Sequence, residues 1–111
     1  MESKKTTKMT LHTNDIIQAT YEFALGCYGV VGVANKGINK ITIANKENAK
    51  KGILVRKTSE TSFSVDVALV LSSNVKISEA IRETQKTVRY LLNKKFNNAC
   101  KTVNVYALAV N

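Results

Sequence analysis

The most regular hydrophobic pattern in the chain lies in "SFSVDVALVL". Phe63, Val65, Val67, Leu69 and Leu71 fall on one side of an alternation, and Ser64, Asp66, Ala68 and Val70 on the other. A period of two, rich in β-branched residues, predicts a strand with one face in the core. "ILVRK" precedes it across the polar "TSET", so the two segments predict an antiparallel hairpin. A different period governs "ISEAIRETQKTVRYLLNKKF". There Ile77, Ala80, Ile81, Thr84, Val88, Leu91, Leu92 and Phe96 recur at helical spacing, and Asn97 and Asn98 follow as stop residues. "TVNVYALAV" returns to the period of two. It sets Val103, Val105 and Ala107 on one face and Tyr106, Leu108 and Val110 on the other.

The N-terminal half is less regular. Ile16, Thr20, Phe23, Ala24 and Cys27 trace one face of a helix from about Asp15 to Tyr28. Thr13 or Asn14 can cap it, Asp15 suits the positive end of its dipole, and Gly29 suits a left-handed stop. "VVGVAN" reads as a short extended segment. In the lysine-rich "KGINKITIANKENAKKG", "KITIA" fits either a strand fragment or one helical turn, and Gly52 closes the stretch as a turn residue. Residues 1–10 read as a disordered basic tail, and residues 11–111 as a single domain.

The predicted order is α-β-β-β-α-β. Two amphipathic helices and a few strands must each bury one stripe. The expected fold is therefore α+β: a small mixed or antiparallel sheet of three to four strands, with both helices packed on one face. If the last strand lies beside the Phe63–Leu71 strand, Ala68, Val70, Tyr106 and Leu108 form an apolar patch on the other face. A monomer gains by covering such a patch. Either self-association or a partner covers it, or "KITIA" and the lysine-rich stretch fold back over it.

Composition changes the picture in two respects. The formal net charge is +9 over 111 residues. Lys36, Lys40, Lys46, Lys50, Lys51, Arg56 and Lys57 gather in one basic region, and Lys76 to Lys101 holds a second, offset only by Glu79 and Glu83. A polyanion surface would draw on Lys50, Lys51, Arg56 and Lys57 with Arg82, Lys86 and Arg89. The same charge suits an anionic membrane surface. Lysine and asparagine abundance without proline or tryptophan also follows from an AT-rich coding sequence, so the charge is either functional or compositional. No apolar run is long enough to cross a membrane, and "MESKKTTKMT" lacks a signal peptide's apolar centre, which makes a cytoplasmic protein the expectation.

Reactive chemistry is thinly supplied. Cys27 and Cys100 have no ligand-like spacing, and His12 is the single histidine, so neither a disulfide nor a metal site is expected. Glu79 and Glu83 interleave with Arg82 and Lys86, the pattern of a solvated, ion-paired helix face. "GVVG" formally matches the GxxG clamp of KH domains. Its inner residues, Val30 and Val31, fill space, though, and the motif leads from a helix into a strand. No phosphate-loop spacing is present. No catalytic residue, cofactor or small-molecule substrate is expected.

A helix ending in "AL", then "GVVG", then "SVDVALVLSSNVKISEAIRETQKTVRYLL" and "KTVNVYALAV" together resemble the alkaline shock protein family of Gram-positive-type bacteria and their relatives. The resemblance spans about residues 11–110. Ser78 departs from it, standing where a proline commonly opens the second helix, and so does the positive charge, since many relatives are acidic. The resemblance implies a small, non-enzymatic cytoplasmic protein tied to general or envelope stress. It implies a membrane-proximal place, self-association or binding to a membrane-anchored partner, and no catalytic residues. A nucleic-acid-binding module using the basic loop and the basic face of the second helix is the alternative reading.

Overall fold

The computed structural model describes residues 11–37 and 40–111. The expected disordered tail, residues 1–10, lies outside the described residues. In chain order the elements are α1 (Thr13–Leu25), β1 (Val30–Lys36), β2 (Ile41–Ile43), a 3-10 turn (Ala49–Lys51), β3 (Ile53–Ser59), β4 (Ser62–Leu71), α2 (Ile77–Lys95) and β5 (Cys100–Val110).

β4 is the centre of a five-stranded sheet. One of its edges is shared. β3 pairs antiparallel with its first part (Ile53↔Val67 to Ser59↔Ser62), and β1 with its last part (Val30↔Leu71, Val33↔Leu69). β2 extends the sheet beyond β1, antiparallel to it. The other edge is taken by β5, which runs parallel to β4 from Phe63↔Cys100 to Leu71↔Val110. A parallel neighbour needs a long crossover, and α2 supplies it. The fold is α+β with a mixed sheet, as the pattern predicts. It has five strands rather than three to four, because "KITIA" contributes the short strand β2 and no helical turn.

The predicted inward face of β4 holds. Ile77, expected on the buried face of α2, is instead 42% exposed. A register shift sets Val110 opposite Leu71 instead of on the face of Tyr106. Phe63, Val65, Val67, Leu69 and Leu71 are completely buried, as are Ile16, Val88 and Leu92 from the helices above them. Val33 and Val103 extend this core on either side, and the Phe96 ring meets Phe63 edge-on, 5.8 Å between centroids. α2 buries Ala80, Thr84, Val88 and Leu92. Asn97 and Asn98 follow its end, both with positive φ. Asparagine tolerates that conformation better than most residues.

α1 departs from expectation at both ends. It starts at Thr13 with His12 as N-cap, and no side chain caps it. It stops at Leu25 with Gly26 as C-cap instead of running to Tyr28. Gly29 does adopt φ 80°, in the tight turn three residues past that cap. Val75 and Ala80 side chains crowd the place a Cβ would occupy. "GVVG" thus joins a helix to a strand and packs against α2; its backbone is used for folding.

Candidate functional site

The back of the sheet divides into two halves. In the polar half, Asp66 accepts hydrogen bonds at 2.8 Å from both Arg56 Nη2 and Asn104 Nδ2. Register places these three side by side. Asp66 pairs with Asn104 on β5, and it shares a face with Ser64, the partner of Arg56 on β3. The Asn104 amide, helped by the Arg56 guanidinium and opposed by partial desolvation, holds the Asp66 carboxyl below its ordinary pKa. A carboxyl whose pKa is lower in the folded chain stabilises that state above its unfolded pKa and loses the contribution as pH falls through the folded one. Asp66→Asn should therefore flatten the acid limb of stability against pH. It should cost less than about 1 kcal/mol at neutral pH, because Arg56 is half exposed. Urea titrations at several pH values check this.

The apolar half lies further along β5. Tyr106 and Leu108 are exposed there, and Leu54 joins them from β3, where it stands opposite Asp66; Tyr106 is 52% and Leu54 57% accessible. A shallow groove of about 370 Å³ runs among Leu54, Ala68, Tyr106 and Leu108, and Lys36, Lys50 and Lys51 stand at its rim. Of the four residues expected on this patch, Tyr106 and Leu108 are exposed and Ala68 is half-buried. Val70 is buried at 5% and is not available to a partner. Its strand neighbour is Gly32, and the Ile43 side chain of β2 lies directly over Gly32. The "KITIA" segment thus covers the Gly32 end of the face and leaves the rest open. Leu54 was not among the expected patch residues; the outward parity of β3 would have found it.

β5 is also an edge strand. Gln85 Nε2 donates to the Val103 carbonyl at 2.7 Å and Arg89 Nε to the Lys101 carbonyl at 3.2 Å. Both carbonyls therefore point away from β4. By the strand's period of two, the peptide groups of Val105 and Ala107 point the same way. Side chains of α2 guard the first part of this edge only. From Asn104 to Val110 the strand reads "NVYALAV", with no charge. The edge of β3, by contrast, carries Arg56 and Lys57. Charges on an edge discourage pairing with another chain, and an uncharged, apolar edge invites it.

The seven basic residues expected to form one polyanion surface stand in separate places. Lys50 and Lys51 rim the back groove. Arg56 is paired with Asp66, and Lys57 donates to the Leu11 carbonyl at 2.6 Å. Arg82, Lys86 and Arg89 line a groove between α2 and the start of β5, where Lys101 joins them. Reach within the fold, which spacing in the sequence does not encode, separates the first four from the last three.

Burial raises the pKa of both Cys27 and Cys100, so each thiol stays protonated near neutral pH. Both cysteines are free. Among the described residues no three His, Cys, Asp or Glu side chains gather as metal ligands would. Glu79 is within 3.8 Å of Lys76. No helix among the described residues is long and apolar enough to cross a membrane.

A mixed sheet with two helices on one face and a partly open apolar back defines a small α+β domain. The chain belongs to the alkaline shock protein 23 family, whose model describes a cell envelope-related function and matches residues 1–111. It is 36% identical over 90 residues to YloU of Bacillus subtilis (strain 168), covering 78% of this chain and 74% of that protein. It is 39% identical over 82 residues to Spy1614 of Streptococcus pyogenes serotype M6, covering 71% and 67%. Among solved structures it resembles the MamM CTD, with a TM-score of 0.57 at 15% identity over 88% of this chain and 99% of that one. That likeness is one of fold.

Proposed function

We propose that this protein is a non-enzymatic structural module of the cell envelope, working in the cytoplasm close to the membrane. A second copy of the chain docks on the open edge of β5. The observation that carries the reading is the uncharged edge from Asn104 to Val110 beside exposed Tyr106, Leu108 and Leu54. Antiparallel pairing of two such edges around a two-fold axis satisfies the outward peptide groups of Val105 and Ala107. It also sets the two apolar patches side by side. An isologous contact of this kind closes on itself. The family's envelope-related description supports the setting. A membrane-anchored protein offering its own strand to the same edge is the competing occupant.

Light scattering across a range of protein concentrations tests the reading. The wild-type chain should move from monomer to dimer mass. Added salt should favour the dimer, because two copies of charge +9 repel one another and salt screens that repulsion. Tyr106→Glu and Ala107→Pro should each shift the transition by at least about tenfold in concentration, a change worth about 1.4 kcal/mol. Proline is tolerated where the lost N–H faces outward from an edge. A wild-type chain that stays monomeric throughout contradicts the proposal.

A further inference from the structure

We infer that the outer face of α2 is a binding site for single-stranded nucleic acid, with Arg82, Lys86, Arg89 and Lys101 holding phosphates and Tyr90 stacking a base. The site is distinct from the back of the sheet and does not depend on self-association.

Geometry brings these residues together. Arg82, Lys86 and Arg89 stand at helical spacings of four and three, so they form one stripe. Lys101 faces the stripe across the groove, which holds about 250 Å³. Lys86 and Arg89 also wall a second, larger depression of about 750 Å³ on the other side of the stripe. Tyr90 lines that second depression and is 63% exposed. The Lys94 ammonium sits 6.0 Å from the Tyr90 ring centre. The ring is thus held on a basic surface with its body in solvent. From Arg82 to Arg89 the helix rises about 10 Å, the length of about three stacked nucleotides.

Two physical arguments select the ligand. Arg82, Lys86 and Lys101 make no ion pair with a carboxylate among the described residues, although Glu83 lies on the same helix. Like charges at these spacings weaken a helix, and a bound polyanion would turn that cost into affinity. An exposed aromatic ring beside a cationic stripe is the arrangement that binds single strands without sequence preference: the charges follow the backbone, and the ring takes a base face. A duplex keeps its bases stacked inside and offers Tyr90 nothing.

Fluorescence anisotropy with a labelled uridine 12-mer, a thymidine 12-mer and a duplex of the same length tests the inference on the full chain. At about 50 mM salt both single strands should bind, with dissociation constants below about 100 µM, and more tightly than the duplex. Four phosphate contacts at about 0.7 each give a log–log salt slope near −2.8, which is about a 50-fold loss between 50 and 200 mM salt. Arg82→Gln with Lys86→Gln should shrink the slope by about 1.4. Tyr90→Ala should weaken binding about tenfold and leave the slope unchanged. Tyr106→Glu should change neither, which separates this site from the dimer edge. These substitutions are at solvent-facing positions, so the fold should tolerate them. Equal affinities of the two single strands assign the site to backbone and base face; a preference for the uridine strand adds a contact to the 2′-hydroxyl. No binding to either single strand overturns the inference. So does binding that Tyr90→Ala leaves untouched, tighter binding of the duplex, or sedimentation with anionic vesicles by a chain that ignores both oligonucleotides.

Discussion

Phe63→Ala should be the most damaging single truncation in this chain, lowering stability by about 3–5 kcal/mol. Phe63 is fully buried at the start of the central strand, where its ring meets Phe96 edge-on at the end of α2. It pairs with Cys100 on β5 and with Lys57 on β3. The residue therefore ties three strands and a helix together at one end of the core. Removing the ring takes away its transfer free energy and the aromatic pair, and leaves a void that strands fixed on both sides cannot close. A domain of this size is stable by about 5–15 kcal/mol, so the loss is a large share of the total. Urea denaturation should show a much lower midpoint with an unchanged slope, and thermal melting a drop of about 12–20 °C. A loss under about 1 kcal/mol would mean that the ring is not in the core.

Gly52→Ala should cost about 3 kcal/mol, although alanine is normally the mildest replacement for glycine. Backbone conformation is not the reason, since Gly52 has φ −118°. Contact is. A Cβ at this position would collide with the Ala34 carbonyl oxygen and lie 2.7 Å from Val33 Cγ1. The Gly52 carbonyl also accepts the Ala68 N–H at 2.8 Å, which anchors the turn against β4. The turn thus passes so close to β1 that β1, the turn and β4 must shift together to admit one carbon. Gly26→Ala is the control. There the added carbon finds its nearest neighbour at 3.7 Å, so the change should be close to neutral. Melting temperatures of the two variants, compared side by side, separate close approach from loss of glycine flexibility.

Most of the core is legible in the sequence, because period and burial answer to the same physics. Phe63, Val65 and Val67 had to face inward together, and so did Ala80, Thr84 and Val88 along α2. The resemblance to the alkaline shock family was readable too, from motifs spread over nearly the whole chain. Contacts between distant segments were not. Nothing near Gly52 announces that Ala34 will lie against it, and the helix stop fell at Gly26 because two glycines within four residues offered two places to end. Val70 belongs to the outward set of β4 by parity; only the pairing of β1 with β2 brings Ile43 over its neighbour Gly32. The basic residues were countable, but sequence distance could not show that Arg56 would meet Asp66 or that Lys101 would cross to Arg82.

The pairing of β5 was left open by its own pattern. Alternation assigned Tyr106 and Leu108 to the face opposite Val105, yet it could not say which edge of the sheet the strand would take. Its place at an outer edge, guarded by Gln85 and Arg89 at one end and by no charge at the other, turns an apolar face into an interface with a direction.

Hydrogen exchange of the segment from Asn104 to Val110, followed at low and high protein concentration, tests that interface most directly. The account predicts that the outward amides of Val105 and Ala107 exchange quickly in dilute solution and become protected as copies pair, while α2 amides keep the same rates. Exchange at Val105 and Ala107 that does not change with concentration, in a chain that nonetheless dimerises, would contradict it and place the contact elsewhere.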